Sequence, residues 1–375
     1  MGNVNKVLMI TTPLGEGHNS VARAISNYFE SCNVECTTLD LYEYINPVLK
    51  EIMSKGYILS MKSAAMMKQF ASDIYDISDK KEISSNYSLS HFTNELLASE
   101  IKEYITTSKP DIIICTQVFA AQVVDILKEK KIITAKTVGI ITDFTIQKYW
   151  EDTEYFDYIV VPNEQLDYQI RRRGIDTKRA LPLGIPIDLK FSRKTNKNEA
   201  KKELGLEVDK STVLVMGGGM GFGHMEKYIS ELDESTLNFQ IVAICGTNEK
   251  LYKKIKRMET KKNCILMGYV ENVDLIMDAS DCIISKPGGI TTSESLAKGL
   301  PLIIVNPLPG VEDRNVEFLM NNGAAIVTSK TFSITEALEL LFKYPDRLFR
   351  LKTSIEAIAK PNATKELCDF LLRNQ

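Results

Sequence analysis

The chain has 375 residues, longer than a single hydrophobic core usually serves, so two domains are expected. Its 44% hydrophobic content fills two cores, and a formal net charge of -3 excludes the basic excess of a nucleic-acid binder. No apolar run reaches the roughly 18 residues of a membrane span, and Met1 to Thr12 lacks a signal-peptide core, so a cytoplasmic protein is expected.

Lys6 to Thr12 reads as a buried strand, followed by a loop with Gly15 and Gly17 and a helical pattern through Phe29. The loop lacks the third spaced glycine of a dinucleotide fingerprint. His18 stands at the helix start, where the dipole disfavours the charged ring and leaves a neutral imidazole able to accept a proton. A capping histidine is the alternative. Val34 to Asp40 reads as the second strand. From Leu41 to about Phe70, Lys50, Lys55, Lys62 and Lys68 are interleaved with Met53, Tyr57, Met61, Met66 and Met67. Residues 48–70 therefore suit a basic amphipathic helix lying on an anionic membrane, or else an ordinary helix covering the sheet. Asp73 to Ser90 is polar and reads as a loop. Helices His91 to Thr106 and Phe119 to Glu129 alternate with strands Asp111 to Thr116, Thr137 to Thr142 and Tyr158 to Pro162, which implies a parallel sheet. Asp143 falls at its carboxyl edge, where such sheets place ligands. The Lys, Asn and Arg cluster from Lys190 to Lys202 reads as a solvated linker.

The second half restarts with strand Thr212 to Met216 and a glycine run, in which Gly217, Gly218 and Gly219 offer backbone N–H groups to a diphosphate. Neither the dinucleotide spacing nor GxxxxGK[ST] occurs, so a nicotinamide dehydrogenase and a P-loop enzyme are disfavoured. Strands Gln240 to Cys245 and Asn263 to Gly268 and helix Asp274 to Ala279 follow. Asp281 to Ser285 is a short strand, Pro287-Gly288-Gly289 a tight turn, and Thr291, Thr292 and Ser293 open a helix whose positive end suits a diphosphate. Glu294, expected in the first turn, can accept both hydroxyls of a ribose. Beyond Gly299 and strand Leu302 to Val305, a loop carries Glu312, Asp313, Arg314 and Asn315, groups able to read sugar hydroxyls. Ala324 to Thr328 is the last strand, and three helical stretches follow, Ile334 to Phe342, Pro345 to Ala359 and Ala363 to Leu372. The seven cysteines form no CxxC pair, and the three histidines no HExxH, so neither a disulfide frame nor a metal site is expected.

The segment Ser285 to Asn315, with PGG, TTSE and PGxExxN in order, resembles glycosyltransferase family 28, most closely its diacylglycerol hexosyltransferases. The resemblance implies an α/β protein of the GT-B type, two Rossmann-like doubly wound domains facing a cleft. The GIP element at Gly184-Ile185-Pro186 marks a boundary between 1–188, for the acceptor, and 189–362, for the nucleotide sugar, with residues 363–375 crossing back. It further implies that His18, beside Gly15 and Gly17, is the acceptor base, that Val270 pairs with uracil, and that Glu312 and Asn315 lie near the hexose. It associates the region of Tyr57 with the lipid acceptor. Thr142-Asp143-Phe144 and Trp150 follow the family pattern, but Gln147 replaces its histidine and cannot exchange a proton near neutral pH. Val311 stands where relatives carry glutamine. Asp143 is a candidate for orienting His18 or touching the acceptor, with capping of the next turn as the alternative.

These readings converge on an inverting, metal-independent transferase that moves a hexose from a UDP-sugar to a hydroxyl of diacylglycerol or a related glycolipid. The nucleotide sugar is a substrate, and no cofactor is expected. The expected partners are the donor, a lipid acceptor and, through residues 48–70, the inner face of an anionic membrane; nucleic acid is not among them. The competing readings are a UDP-sugar 2-epimerase of the same architecture, a transferase with a soluble acceptor, and a binder without catalysis.

Overall fold

Short runs of Val, Ile and Leu pair into parallel strands because helices cover both of their faces, so Ile112–Cys115 and Phe239–Ile244 are buried at every position. The structure, a computed structural model, describes residues 4–12, 16–46, 51, 84–221, 223–310 and 312–374. The first sheet comprises β1 (Lys6–Thr11), β2 (Glu35–Asp40), β3 (Ile112–Cys115), β4 (Lys136–Ile140), β5 (Tyr158–Val160) and β6 (Ala180–Leu181), in the order β2-β1-β3-β4-β5-β6. The second comprises β7 (Ser211–Met216), β8 (Phe239–Ile244), β9 (Cys264–Met267), β10 (Cys282–Ser285), β11 (Leu302–Ile304) and β12 (Ala325–Val327), in the order β12-β11-β10-β7-β8-β9.

Each sheet reverses its winding once. The chain leaves β1 towards β2 and returns on the other side as β3, with Ile10 opposite Cys115. Likewise it leaves β7 towards β8 and returns as β10, with Val215 opposite Ile284. At such a reversal the loops at the strands' carboxyl ends diverge and leave a crevice. The chain divides into two compact units, Met1–Leu189 with Pro309–Val311 and Asn362–Gln375, and Lys190–Leu308 with Glu312–Pro361. The last helix, Ala363–Arg373, belongs to the first unit, where Asp369 accepts from the Tyr28 hydroxyl (2.7 Å) and Thr364 donates to the Ile187 carbonyl (2.6 Å).

Three expectations change. The helix foreseen from His91 runs from Ser84 to Ser108, because extending an existing helix through polar residues costs little once a turn has formed. Lys190 to Lys202 is a solvated linker only in part: Arg193, Lys194, Thr195 and Asn196 are exposed, but Lys197–Glu203 is helical, Lys197 pairs with Asp281 at 2.6 Å, and buried Lys201 donates to the Val208 and Lys210 carbonyls. Here a single carboxylate recruits the lysines and anchors the segment to β10. Strand β4 stops at Ile140 rather than Thr142. The segment 48–70, with Tyr57, lies outside the described residues, as does Gly15. Among the described residues no helix is long and apolar enough to cross a membrane.

Trp150, the chain's one tryptophan, is buried in the Lys148–Asp152 turn and packs on Gly139 of β4. A Cβ on that glycine would stand 2.4 Å from Trp150 Cζ3, so only a bare backbone admits the indole.

Candidate functional site

In the first unit the reversal between β1 and β3 holds His18. The helix Glu16–Ser31 begins just after β1, which puts His18 in its first turn, and Nδ1 lies 2.6 Å from the carbonyl oxygen of Thr116, the residue after β3. A carbonyl can only accept, so Nδ1 carries the hydrogen and Nε2 keeps its lone pair. Burial pulls the imidazole down to about 4, against the opposing pull of the Thr116 bond. Desolvation, rather than the helix dipole alone, thus keeps the ring neutral. Gly17 precedes it in the same turn. Asp143 is half-buried beyond β4 and accepts from Gln147 Nε2 at 3.4 Å, so the residue that departs from the pattern contacts one that keeps it. The group on the Nδ1 side of His18 is the Thr116 main chain and not Asp143.

In the second unit the reversal between β7 and β10 brings the Gly217–Gly219 loop beside the Pro287-Gly288-Gly289 turn. The helix Gly289–Lys298 starts directly at Gly289, with Gly288 extended before it and no side chain capping its first N–H groups. Those donors are therefore available to an anion. Thr291 lies in the first turn. Because the helix opens two residues earlier than the hydroxyl-rich stretch suggests, Glu294 lies in the second turn, half-buried, and not in the first. The helix closes on Gly299 in the left-handed region at φ 67°.

Two of the many glycines serve loop packing. A Cβ on Gly221 would lie 2.0 Å from the Cys245 carbonyl oxygen, and one on Gly246 2.1 Å from that of Gly219, so the loops after β7 and β8 touch backbone to backbone. Thr247 N donates to Gly219 O (3.0 Å), which fixes the glycine loop from behind. Val270, after β9, is half-buried beside exposed Tyr269.

The loop after β11 braces the turn. Asn315 is fully buried and donates to the Pro287 carbonyl at 2.9 Å. Glu312, 3% exposed, takes Lys286 Nζ on one oxygen at 2.5 Å and Leu308 N on the other at 2.9 Å. Lys286 runs close to the glycine loop, since a Cβ on Gly218 would stand 3.9 Å from its Cε. An ammonium thus stands where the glycine loop and the helix start converge, a place suited to an anion.

Sequence reasoning missed Thr116 and Lys286, and of a set of buried hydroxyls it named Thr292 alone for the diphosphate. Among the described residues, the buried side-chain polar atoms without a hydrogen-bond partner are the hydroxyls of Thr12, Thr116, Ser285 and Thr292. Thr12 and Thr116 follow β1 and β3; Ser285 ends β10 and Thr292 lies in the helix after it. All four stand at the two winding reversals, and buried hydroxyls without partners are uncommon enough to mark where a ligand or water completes the site. For Thr12, Thr116 and Ser285 a place at or just past a strand end was the available signal.

Residues 18–187 match the family described as monogalactosyldiacylglycerol (MGDG) synthase, and residues 212–367 the glycosyltransferase family 28 C-terminal domain. A processive diacylglycerol beta-glucosyltransferase of Staphylococcus saprophyticus subsp. saprophyticus is 31% identical over 375 residues, covering 98% of this chain and 92% of that protein. The protein of the same description from Bacillus cytotoxicus is 29% identical, covering 98% and 93%. Among solved structures, MurG of Acinetobacter baumannii superposes with a TM-score of 0.60 at 14% identity, covering 99% of this chain and 100% of the other. A UDP-GlcNAc 2-epimerase from Neisseria meningitidis does so with 0.60 at 17%, covering 98% and 100%. At such identities the structures attest the fold, GT-B, and nothing finer.

Proposed function

Since the chain belongs to glycosyltransferase family 28, on the branch of the diacylglycerol hexosyltransferases, we propose that it transfers glucose from UDP-glucose to a hydroxyl of diacylglycerol or of a glycolipid made from it. The sugar and the acceptor follow from what the relatives are named for. The observation that carries the chemistry is the His18 tautomer: Nδ1 is committed to the Thr116 carbonyl, and Nε2 is free to take a proton.

The acceptor hydroxyl gives its proton to His18 Nε2 as its oxygen bonds to the anomeric carbon. The bond from that carbon to the diphosphate breaks on the opposite face, so configuration inverts and UDP leaves. Gly217, Gly218 and Gly219, the helix start at Gly289 and Thr291, and the Lys286 ammonium meet the charge that develops on the diphosphate. Backbone N–H groups and a lysine suffice for that charge, so the scheme uses no divalent ion. Glu294 takes the ribose and Val270 the uracil, while Glu312 and Asn315 act on the hexose end through the turn they brace. The first unit serves the acceptor and the second the donor. The protein works peripherally on the inner face of the cell membrane, with residues 48–70 in contact with anionic lipid and acceptor.

The 2-epimerase reading shares the fold, but the relatives with about twice its sequence identity are named transferases. Product analysis decides between them: the protein is incubated with a panel of UDP-hexoses, with and without diacylglycerol. Glucosyldiacylglycerol and free UDP are expected. An epimerised nucleotide sugar formed without acceptor would overturn the reading.

A further inference from the structure

The second unit carries an exposed feature that neither half of the proposed site uses. Helix Ile334–Lys343 hands over to helix Pro345–Ile358 at Tyr344, and five successive residues, Lys343 to Arg347, are exposed. Leu351, Ile355 and Ile358 bury the inner face of the second helix. Its outer face begins with Phe349, 70% exposed, near Tyr344 at 57%. Phe349 is the most exposed large hydrophobic side chain among the described residues, and Tyr344 lies five positions before it.

Lys343, Arg347 and Arg350 are exposed in the same stretch as the aromatics, against Asp346, in a chain whose formal charge is -3, while Lys352 turns to the side of the helix away from the two arginines. Lys343 shares its charge with Glu339 at 3.2 Å, and Glu356 lies one turn beyond Lys352. Lys352 is held below the ordinary lysine range, first by desolvation and then by Lys197 and Lys194, with Asp281 and Glu356 opposing. Two arginines beside two open aromatics offer an anionic surface both charge and apolar contact.

We propose that the corner formed by Tyr344 and Phe349 with Arg347 and Arg350 docks the second unit on an anionic phospholipid surface. The aromatics enter the headgroup layer and the cations meet lipid phosphates. A run of exposed residues at a helix corner suits a plane better than it suits a peptide. The inference rests on the reading of the acceptor as a membrane lipid, and it assigns lipid contact to a surface distinct from residues 48–70.

The test is flotation of the full chain with vesicles of phosphatidylcholine alone and of phosphatidylcholine mixed with phosphatidylglycerol. The parent binds the anionic vesicles selectively. Phe349→Ser lowers that partition roughly tenfold and Arg350→Gln roughly fivefold, while both keep the melting temperature and the turnover of detergent-dispersed diacylglycerol. In the Phe349→Trp chain, emission shifts to the blue on vesicle addition and brominated acyl chains quench it. Parental partition by both variants, no binding by the parent, or silence of the Phe349→Trp probe overturns the proposal. Binding that needs Phe349 in a chain without hexose transfer would refute the transferase reading and leave this surface standing. Transfer with binding indifferent to Phe349 would do the reverse.

Discussion

The most discriminating prediction concerns the acid limb of the reaction. If His18 Nε2 is the base, only the neutral ring works, and burial lowers its pKa from 6.5 to about 4. At about pH 5.5 such a ring is still roughly 97% neutral, whereas an ordinary imidazole would be only about 9% neutral, a difference of about tenfold in active enzyme. The profile of kcat/KM should therefore stay flat well below neutrality and fall only as pH approaches about 4. The same shift has a cost in stability. The unfolded chain takes up this proton first, so the contribution is fully present above about 6.5 and is lost progressively as pH falls towards about 4. Circular dichroism at each pH separates loss of fold from loss of base. His18→Asn keeps a donor to the Thr116 carbonyl but no base, and turnover should drop about 10²- to 10⁴-fold with UDP affinity unchanged. A half-maximal rate near pH 6.5, or an active His18→Asn chain, would refute the assignment.

Glu294→Ala should weaken UDP binding by about 2 kcal/mol, roughly 30-fold in Kd, by calorimetry; unchanged affinity removes the ribose role. Gly139→Ala drives a Cβ to 2.4 Å from the Trp150 ring and should lower stability by about 1–3 kcal/mol and alter the indole emission; a parental melt would contradict the packing. Gly246→Ala combines a φ of +56° with a Cβ 2.1 Å from Gly219 O, so both melting temperature and UDP affinity should fall, and a loss of neither would show that the glycine loop is not held from behind. Lys298→Ala leaves Asp278 buried without its 2.7 Å partner and should destabilise by about 3–5 kcal/mol in urea melts, with Lys298→Ala/Asp278→Ala recovering part of the loss; additive losses would argue against the pairing.

The strands and the two restarts of β-α wiring were legible because parallel strands are buried on both faces and therefore read as continuous apolar runs. The Gly299 stop was legible too, since a left-handed helix end favours glycine. Less visible was anything decided between residues far apart in the chain. Lys201 looks solvated in a Lys-rich stretch until Asp281 and two carbonyls enclose it. Glu312 and Asn315 look like open sugar-reading groups, yet they reach back to Lys286 and Pro287 and stiffen a turn. Glu294 was displaced by one turn because the helix draws its start from the extended Gly288 rather than from the hydroxyls after it.

The bond from His18 to a main-chain oxygen bears on how this protein would answer to mutagenesis. Every residue type has that oxygen, so exchange of the side chain at position 116 leaves the tether in place, and a scan of single substitutions would find no side-chain partner on the Nδ1 side of His18. Engineering that weakens the base has to bend the chain after β3, whereas engineering that varies side chains there to widen acceptor choice can do so without touching the proton acceptor.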